Sequence, residues 1–315
     1  MSSSSPDRRP DDAELVALFS PWAGRCLLVF GAGYVGGTVA RVAHAAGLRV
    51  HALTRNPGTA AALAATGIQV VVADFSSDEW HGRMPRDADF VLDAVGSGGG
   101  GIDGYRRSYV EGARSLVAWG AGGEDVAPVG AHVVYTSSTS VYAQGGGARV
   151  DETSVTEPVE ESGRVILESE GVLRAWPGPW TVLRLAGIYG PERHLLLDQL
   201  RAGAAELAGK GEHRLNLVHR DDAVRAIAAA WRRPERAAGQ VYTVADGAPE
   251  AKATVAAWVA ERLRRPAPTF SSEIAGMRRR LVPDRVISSE RLQRELDWRP
   301  RYPSFREGYA ALLEA

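Results

Sequence analysis

Residues Cys26–Gly36, read as CLLVFGAGYVG, constrain this chain more than any other stretch: an apolar run that reads as a buried strand ends in Gly-x-Gly-x-x-Gly. A helical pattern from Tyr34 to Ala46 follows at once and closes on Gly47, and a second apolar strand, Leu48–Leu53, completes the unit. Each glycine has a physical task in such a turn. Gly31 permits the tight strand-to-helix reversal, Gly33 lets backbone approach a pyrophosphate, and Gly36 lets the helix pack closely on the strand. The N–H groups at the helix start, from Tyr34, Val35 and Gly36, then face the anion. With 35 glycines in 315 residues the motif alone proves little; the flanking strand and helix give it weight.

Charge is nearly balanced, with 37 Lys and Arg against 38 Asp and Glu, so nothing favours nucleic acid or an anionic membrane as partner. No apolar stretch approaches bilayer length. The start, MSSSSPDRRP, lacks an apolar signal core and reads as a disordered tail before a short amphipathic arm around Leu15, Val16, Leu18 and Phe19. The single cysteine, Cys26, cannot form an internal disulfide and reads as a small core residue. Cys and His show no metal-ligand spacing, so no metal is expected. A soluble cytoplasmic protein fits these features.

Strand and helix patterns alternate through the first half. Leu48–Leu53 precedes a helix near Thr59–Ala65. Then come Ile68–Ala73, Phe90–Ala94, a helix from Tyr105 to Trp119, and the strand His132–Thr136. Repeated β-α units with apolar strands predict an α/β fold, a doubly wound parallel Rossmann sheet covered by helices. Ligands of such sheets bind beyond the carboxyl ends of the strands. This selects Gly31–Gly36, Thr54-Arg55, Asp74, Val95 with the Gly96–Gly101 loop that follows it, Ser137–Ser140 and Gly187–His194. The second half is less regular: a strand Thr181–Leu185, Arg214–His219, a helix starting near Asp221-Asp222 as N-terminal caps, a strand Gln240–Val244, and helices Thr254–Leu263 and Phe305–Leu313. Arg278–Arg280 reads as a solvated surface run in preference to an anion site. The expected division is a tail and arm at 1–23, a dinucleotide-binding domain at 24–190 plus 215–246, and a small C-terminal substrate-binding cap at 191–214 plus 247–315.

The end of the second strand meets the adenosine ribose in this architecture. A carboxylate there favours NAD, and a basic residue accommodates a 2′-phosphate. No Asp or Glu occurs from Val50 to Asn56, while Arg55 offers a planar fork. NADP is therefore preferred over NAD, the bland alternative being an exposed loop arginine. Asp74 is either an adenine contact or a helix cap.

Further motifs follow in order: Thr136–Tyr142 (TSSTSVY), Asp151-Glu152, Arg184–Pro191 (RLAGIYGP), Asn216–Asp222 (NLVHRDD), Ser288–Leu292, Glu295–Trp298 and Tyr302–Gly308. Together they resemble the extended short-chain dehydrogenase/reductases, the group of nucleotide-sugar epimerases and dehydratases, over nearly the whole chain after Gly24. Thr136–Tyr142, Ser162–Val165, Arg184–Gly187, Gly190-Pro191 with Arg193-His194, and Asn216–His219 narrow this to the YeeZ-like atypical branch. That resemblance implies an NAD(P)-binding fold, with Ser137 and Gly187 among the cofactor contacts, and a small-molecule substrate. It also points to dimerisation through the Tyr105–Trp119 and Ser162–Ala175 helices.

In the extended family a Ser or Thr after the fifth strand positions a substrate oxygen. A Tyr some two dozen residues later moves its proton, and a Lys four residues beyond lowers the Tyr pKa. Counted from Val141-Tyr142, these places hold Ser138, Ser162 and Ile166, with Glu170 keeping the acidic residue that usually follows. A tyrosine of pKa roughly 10 needs a nearby cation to act near neutrality. Ser162 and Ile166 supply neither group. Arg164 points about 200° away from Ser162 on a helix, and is expected to pair with Glu168 at i+4. Replacement acids or bases are His194, preferred because its loop is expected to border the cleft, with Tyr105, Tyr109 and His219; for each a purely structural role is the competing reading. Tyr109 stands where the family pattern Asn-Val-x-Gly-Thr has its Asn.

Three function classes follow. One is an NADP-dependent epimerase, dehydratase or ketone reductase acting on a sugar-like or secondary-metabolite substrate. Another is a non-redox cyclase, lyase or isomerase on the same scaffold. The last is an NADP-binding sensor without catalysis.

Overall fold

The computed structural model describes residues 10–97, 99–271 and 283–314; the expected disordered tail and the Arg278–Arg280 run lie outside them. Chain contacts divide the protein into two compact units. The first comprises residues 1–141, 158–184 and 224–241, and the second 142–157, 185–223 and 242–315.

The first unit is built on β1 (Cys26–Phe30), β2 (Arg49–Thr54), β3 (Gln69–Val72), β4 (Phe90–Asp93) and β5 (His132–Ser138). With strands Trp180–Leu185 and Gln240–Val244 these form a seven-stranded sheet, ordered Gln240–Val244, Trp180–Leu185, β5, β4, β1, β2, β3. β1 to β5 pair in parallel, which requires a crossover between successive strands. This is the doubly wound α/β arrangement expected from the alternating pattern. Register fixes the functional edge. Phe30 lies opposite Leu53 and Asp93, and Asp93 lies opposite Tyr135, so the segments after Phe30, Leu53, Asp93 and Tyr135 leave the sheet side by side.

Every residue of β1 is buried, as an interior parallel strand demands. Phe30 contacts Phe75 and Trp80 at ring-centroid distances of 5.2 and 4.8 Å, and Trp80 meets Trp119 at 5.6 Å. Helix α1 (Pro10–Phe19) is the expected amphipathic arm. It buries Leu15 and Phe19, and Glu14 receives Arg225 at 2.6 Å. Helices α2 (Tyr34–Ala45) and α3 (Pro57–Ala64) follow β1 and β2; Asn56 caps α3 through a 3.0 Å bond from the Thr59 N–H.

The helix expected from Tyr105 to Trp119 is interrupted. It consists of α4 (Gly101–Arg106), a π turn over Arg107–Glu111, and α5 (Gly112–Ala121). The N–H of Gly112 reaches the carbonyl of Arg107, five residues back, inserting one extra residue into the turn. Helix α6 (Glu161–Leu173) carries Ser162, Ile166 and Glu170.

In the second unit, Gly187–Tyr189 pairs in parallel with Leu217–His219, and Ala148–Val150 with Arg285–Ile287. The single strand expected over Arg214–His219 is two short ones, because Asn216 turns away to bond the Arg285 carbonyl and the Ile287 N–H at 3.0 and 2.7 Å. Leu197, Leu200, Val255, Val259 and Phe305 form a separate core. Asp222, expected as a helix cap, accepts the N–H groups of Arg301 and Tyr302 at 2.6 and 3.0 Å, fastening the Trp298–Tyr302 segment.

Candidate nucleotide site and the helix beside it

The glycine turn has the geometry its spacing implies. Gly31 adopts φ +84°, where a side chain is strained, and a Cβ there would stand 2.5 Å from the Val95 backbone. A Cβ on Gly36 would collide with the Gly31 carbonyl oxygen, so the helix can approach the turn only with glycine there. Gly33 differs, because a Cβ on it would meet no protein atom. The space beside Gly33 is therefore open at the start of the helix. Helix α2 begins at Gly33 with no side-chain cap and no acidic residue in its first turn, leaving a positive helix end suited to phosphate. The residues present fit a dinucleotide pyrophosphate.

Along the same sheet edge, the Thr54 hydroxyl accepts the Asn56 N–H at 3.2 Å, and Arg55 is exposed. Asp74 follows β3. Burial works to raise its pKa, but bonds from the Ser76 N–H (3.0 Å) and hydroxyl (2.9 Å), with the charges of Arg55 and Arg107, bring it below the usual carboxylate value. Asp74 takes the Ser76 N–H in a local turn and caps no helix, since the next helical element, a 3-10 turn at His81–Arg83, has Trp80 at its start. Val95 and Gly96 follow β4, where the Val95 N–H bonds the Asp93 carboxylate at 3.2 Å. Burial pushes the Asp93 carboxyl up to about 7 against that bond. Sequence reading missed Asp93; the apolar run around it was the only available signal.

At the end of β5, Ser137 is buried and its hydroxyl donates to Glu170 at 2.5 Å. Glu170 is held by Arg184 through two bonds, Nε at 3.0 Å and Nη2 at 2.7 Å, with both side chains nearly inaccessible. Ser137 thus serves β5–α6 attachment through its side chain. Ser138 is half-buried; its oxygen accepts the Ser140 N–H at 3.1 Å, which leaves its own proton available for donation. On α6, Ser162 is half-buried and Ile166 is 4% exposed. Arg164 does not pair with Glu168. It donates to the carbonyls of Pro158 and Val159, at 3.2 and 2.8 Å, while Glu168 pairs with Arg106 and Arg114 at 2.9 and 3.3 Å. Backbone acceptors at the helix start lie within Arg164's reach, and two arginines from the neighbouring helical segment already occupy the glutamate. Tyr105 packs against Tyr109 with ring centroids 5.2 Å apart.

Gly187 and His194 belong to the second unit. The Gly187 N–H bonds the Asn216 carbonyl at 2.9 Å. His194 precedes the helix Leu195–Arg201, and its Nδ1 lies 2.8 Å from the Asp198 carboxylate as an ion-pair contact off the line of a directional hydrogen bond. His219 is buried, its Nδ1 accepting the Asp221 N–H at 3.3 Å and its ring 4.1 Å from that of Tyr302, which is a packing environment. Among the described residues no helix is long and apolar enough to cross a membrane, and no cluster of His, Cys, Asp and Glu could hold a metal ion.

Comparisons with known proteins agree with this architecture. The protein YeeZ of Escherichia coli K12 is 34% identical over 172 residues, which is 54% of this chain and 58% of YeeZ; the match spans little more than half of that relative. A functionally unknown conserved protein from Silicibacter pomeroyi superimposes with a TM-score of 0.73 at 28% identity, covering 92% of this chain and 98% of that one. DesIV, a dTDP-glucose 4,6-dehydratase from Streptomyces venezuelae solved with NAD bound, superimposes at 0.75 with 22% identity, over 92% and 96% of the two chains, and shares the fold. Residues 27–245, from β1 to the start of the segment after Val244, match the sequence pattern of one family throughout, and the chain belongs to the NAD-dependent epimerase/dehydratase family.

Proposed function

We propose that this protein is an NADP(H)-dependent enzyme that modifies a sugar-like or secondary-metabolite small molecule, by epimerisation, dehydration or ketone reduction, without the family's Tyr/Lys pair. The observation that carries the reading is the space beside Gly33 at the uncapped start of α2, with Arg55 in place of an acidic ribose contact on the same sheet edge. NADP supplies hydride transfer when bound. In this reading Gly31, Gly33 and Gly36 with the N–H groups of Tyr34 and Val35 cradle the pyrophosphate. Thr54, Arg55 and Asp74 face the adenosine, and Val95, Gly96, Ser137 and Gly187 line the rest of the dinucleotide. Family relatives support the substrate class: DesIV is a dTDP-glucose dehydratase, and another structure of the same fold, MoeE5, holds UDP-glucose and NAD.

Proton handling must differ from the family pattern. Ser162 is a weaker acid than tyrosine, and the buried Ile166 side chain offers no cation to lower any neighbour's pKa. We assign Ser138 to hold the substrate oxygen, since its hydroxyl proton is available. His194 serves as acid or base, with the Asp198 carboxylate 2.8 Å from its Nδ1. Tyr105 is the second candidate donor. The second unit's residues 191–214 and 247–315 act as the substrate-binding cap, the protein works in the cytoplasm, and homodimerisation uses the α4–α5 and α6 helices.

The test is transfer of deuterium from stereospecifically labelled NADPH to product across a panel of nucleotide sugars and ketones. Label in the product, or transient reduced cofactor in an epimerisation or dehydration, supports the reading. Turnover by nucleotide-free protein would replace it with a non-redox enzyme, the alternative that Ile166 at the lysine place favours. Nucleotide binding without turnover of any panel member, together with a partner whose affinity follows the NADP/NADPH ratio, would replace it with a sensor.

A further inference from the structure

We propose that Arg107 is a second arginine of the 2′-phosphate site, presented beside Arg55 by the π turn that separates α4 from α5. The inference rests on the reading of the glycine turn as a dinucleotide cradle and extends it to a residue outside the glycine and second-strand signatures.

The placement comes from helix geometry. In a regular α-helix, residues five apart are offset by about 140° around the axis, so Arg107 and Gly112 would face different neighbours. The bond from the Gly112 N–H to the Arg107 carbonyl closes a wider turn and sets Arg107 above Gly112 on one face. Gly112 is the residue that docks this helix against the loop after β3; a Cβ on it would strike the Phe75 ring. Ser115, on the next turn, fastens the same loop by donating to the Ser77 carbonyl at 2.7 Å. The face that carries Gly112 and Ser115 therefore carries Arg107 toward Asp74, the residue before Phe75.

Charge agrees with this placement. Both Arg55 and Arg107 act on the Asp74 carboxylate. Neither guanidinium makes a hydrogen bond or an ion pair at bonding distance among the described residues, and both residues are exposed. Their neighbours behave otherwise: Arg106 and Arg114 are paired with Glu168, and Arg49 with Asp87 at 2.9 Å. Two guanidiniums around one carboxylate, itself already bonded by Ser76, leave one positive charge in surplus. A ribose 2′-hydroxyl does not compensate that charge, whereas a 2′-phosphate of about two negative charges does, through forked bonds from planar donors. Asp74 keeps an oxygen for the adenine amino group.

The experiment is calorimetric titration of the full chain with 2′,5′-ADP, 5′-ADP, NADPH and NADH, for the wild type and for Arg107→Gln, Arg55→Gln and Arg106→Gln. Circular dichroism confirms that each variant is folded. Arg107→Gln is expected to weaken 2′,5′-ADP and NADPH by about ten-fold, the worth of charge-assisted bonds to one arginine, and to leave 5′-ADP and NADH within about two-fold. Arg55→Gln is expected to behave alike, and Arg106→Gln to change neither. An unchanged NADPH/NADH affinity ratio in Arg107→Gln, with a reduced ratio in Arg55→Gln, overturns the assignment of Arg107 while preserving the NADP site. No binding of any of the four ligands to the wild type overturns the dinucleotide reading itself, and the proposal with it.

Discussion

Gly33 and Gly36 separate fold from binding within one motif. Because a Cβ on Gly36 would collide with the Gly31 carbonyl, Gly36→Ala is expected to destabilise the protein by about 1–3 kcal/mol, the cost of overpacking a tight contact. Gly33→Ala meets no protein atom and is expected to cost less stability, while abolishing nucleotide binding by filling the pyrophosphate space. Thermal melts with and without NADPH check both, since ligand raises the melting point of the variants that still bind. A Gly33→Ala protein that binds NADPH as the wild type does would dissociate this glycine from the cofactor. Asp93 makes a second residue-scale prediction. A folded pKa of about 7, raised by burial above the ordinary 3.8, means the folded chain holds this proton more tightly than the unfolded chain. That stabilisation is complete below about pH 4 and is lost as pH rises through about 7. Asp93→Asn, which keeps an oxygen for the Val95 N–H, is therefore expected to exceed the wild type in denaturation midpoint at pH 8. The advantage should vanish near pH 4. A variant less stable than wild type at pH 8 contradicts the account.

At the scale of elements, the Ser137–Glu170–Arg184 network ties β5, α6 and the strand Trp180–Leu185 together in the first unit. Arg184→Met leaves the Glu170 carboxylate buried without its cation and is expected to cost about 3–5 kcal/mol. The double variant Arg184→Met with Glu170→Leu removes both charges and should recover part of that loss, which urea denaturation measures. Equal losses in the single and double variants would show that the network contributes packing alone. Elements were also where sequence reading succeeded and failed most instructively. The apolar strands and the arm at Leu15 and Phe19 announce themselves through burial pattern. The π turn does not, because nothing in RSYVEG distinguishes one extra residue in a turn from a continuous helix; the docking of Gly112 on Phe75 decides it. Arg164 failed for a related reason. Its i+4 partner Glu168 is within reach by spacing, but Arg106 and Arg114 come from distant sequence to claim it.

For the whole molecule, Cys26 is a built-in reporter. It is fully inaccessible on the interior strand β1, and burial pushes its thiol up to about 11. The thiolate that reacts with disulfide reagents is thus both scarce and shielded. Labelling at pH 8 is expected to be at least about a thousand-fold slower in the folded protein than in urea, and slower still with saturating NADPH, because ligand suppresses opening of the first unit. Rapid labelling of the native protein would show that β1 opens locally.

The sequence by itself determined that a strand, a glycine turn and a helix recur in the order of a doubly wound sheet, since strand burial and glycine stereochemistry are local properties written in residue type. It also places Ser162, Ile166 and Glu170 at four-residue spacing, hence on one face of a helix, which a count of positions reveals. Tertiary structure decided which charges meet. Arg55 and Arg107 lie 52 positions apart and share Asp74 only because Gly112 and Ser115 dock a helix on the loop after β3. Asp93 is an ordinary aspartate in sequence and an acid near neutrality in the fold, because the strands on either side remove it from water. Local chemistry can be read along the chain, but electrostatics depends on distance and burial, and those exist only once the chain has folded.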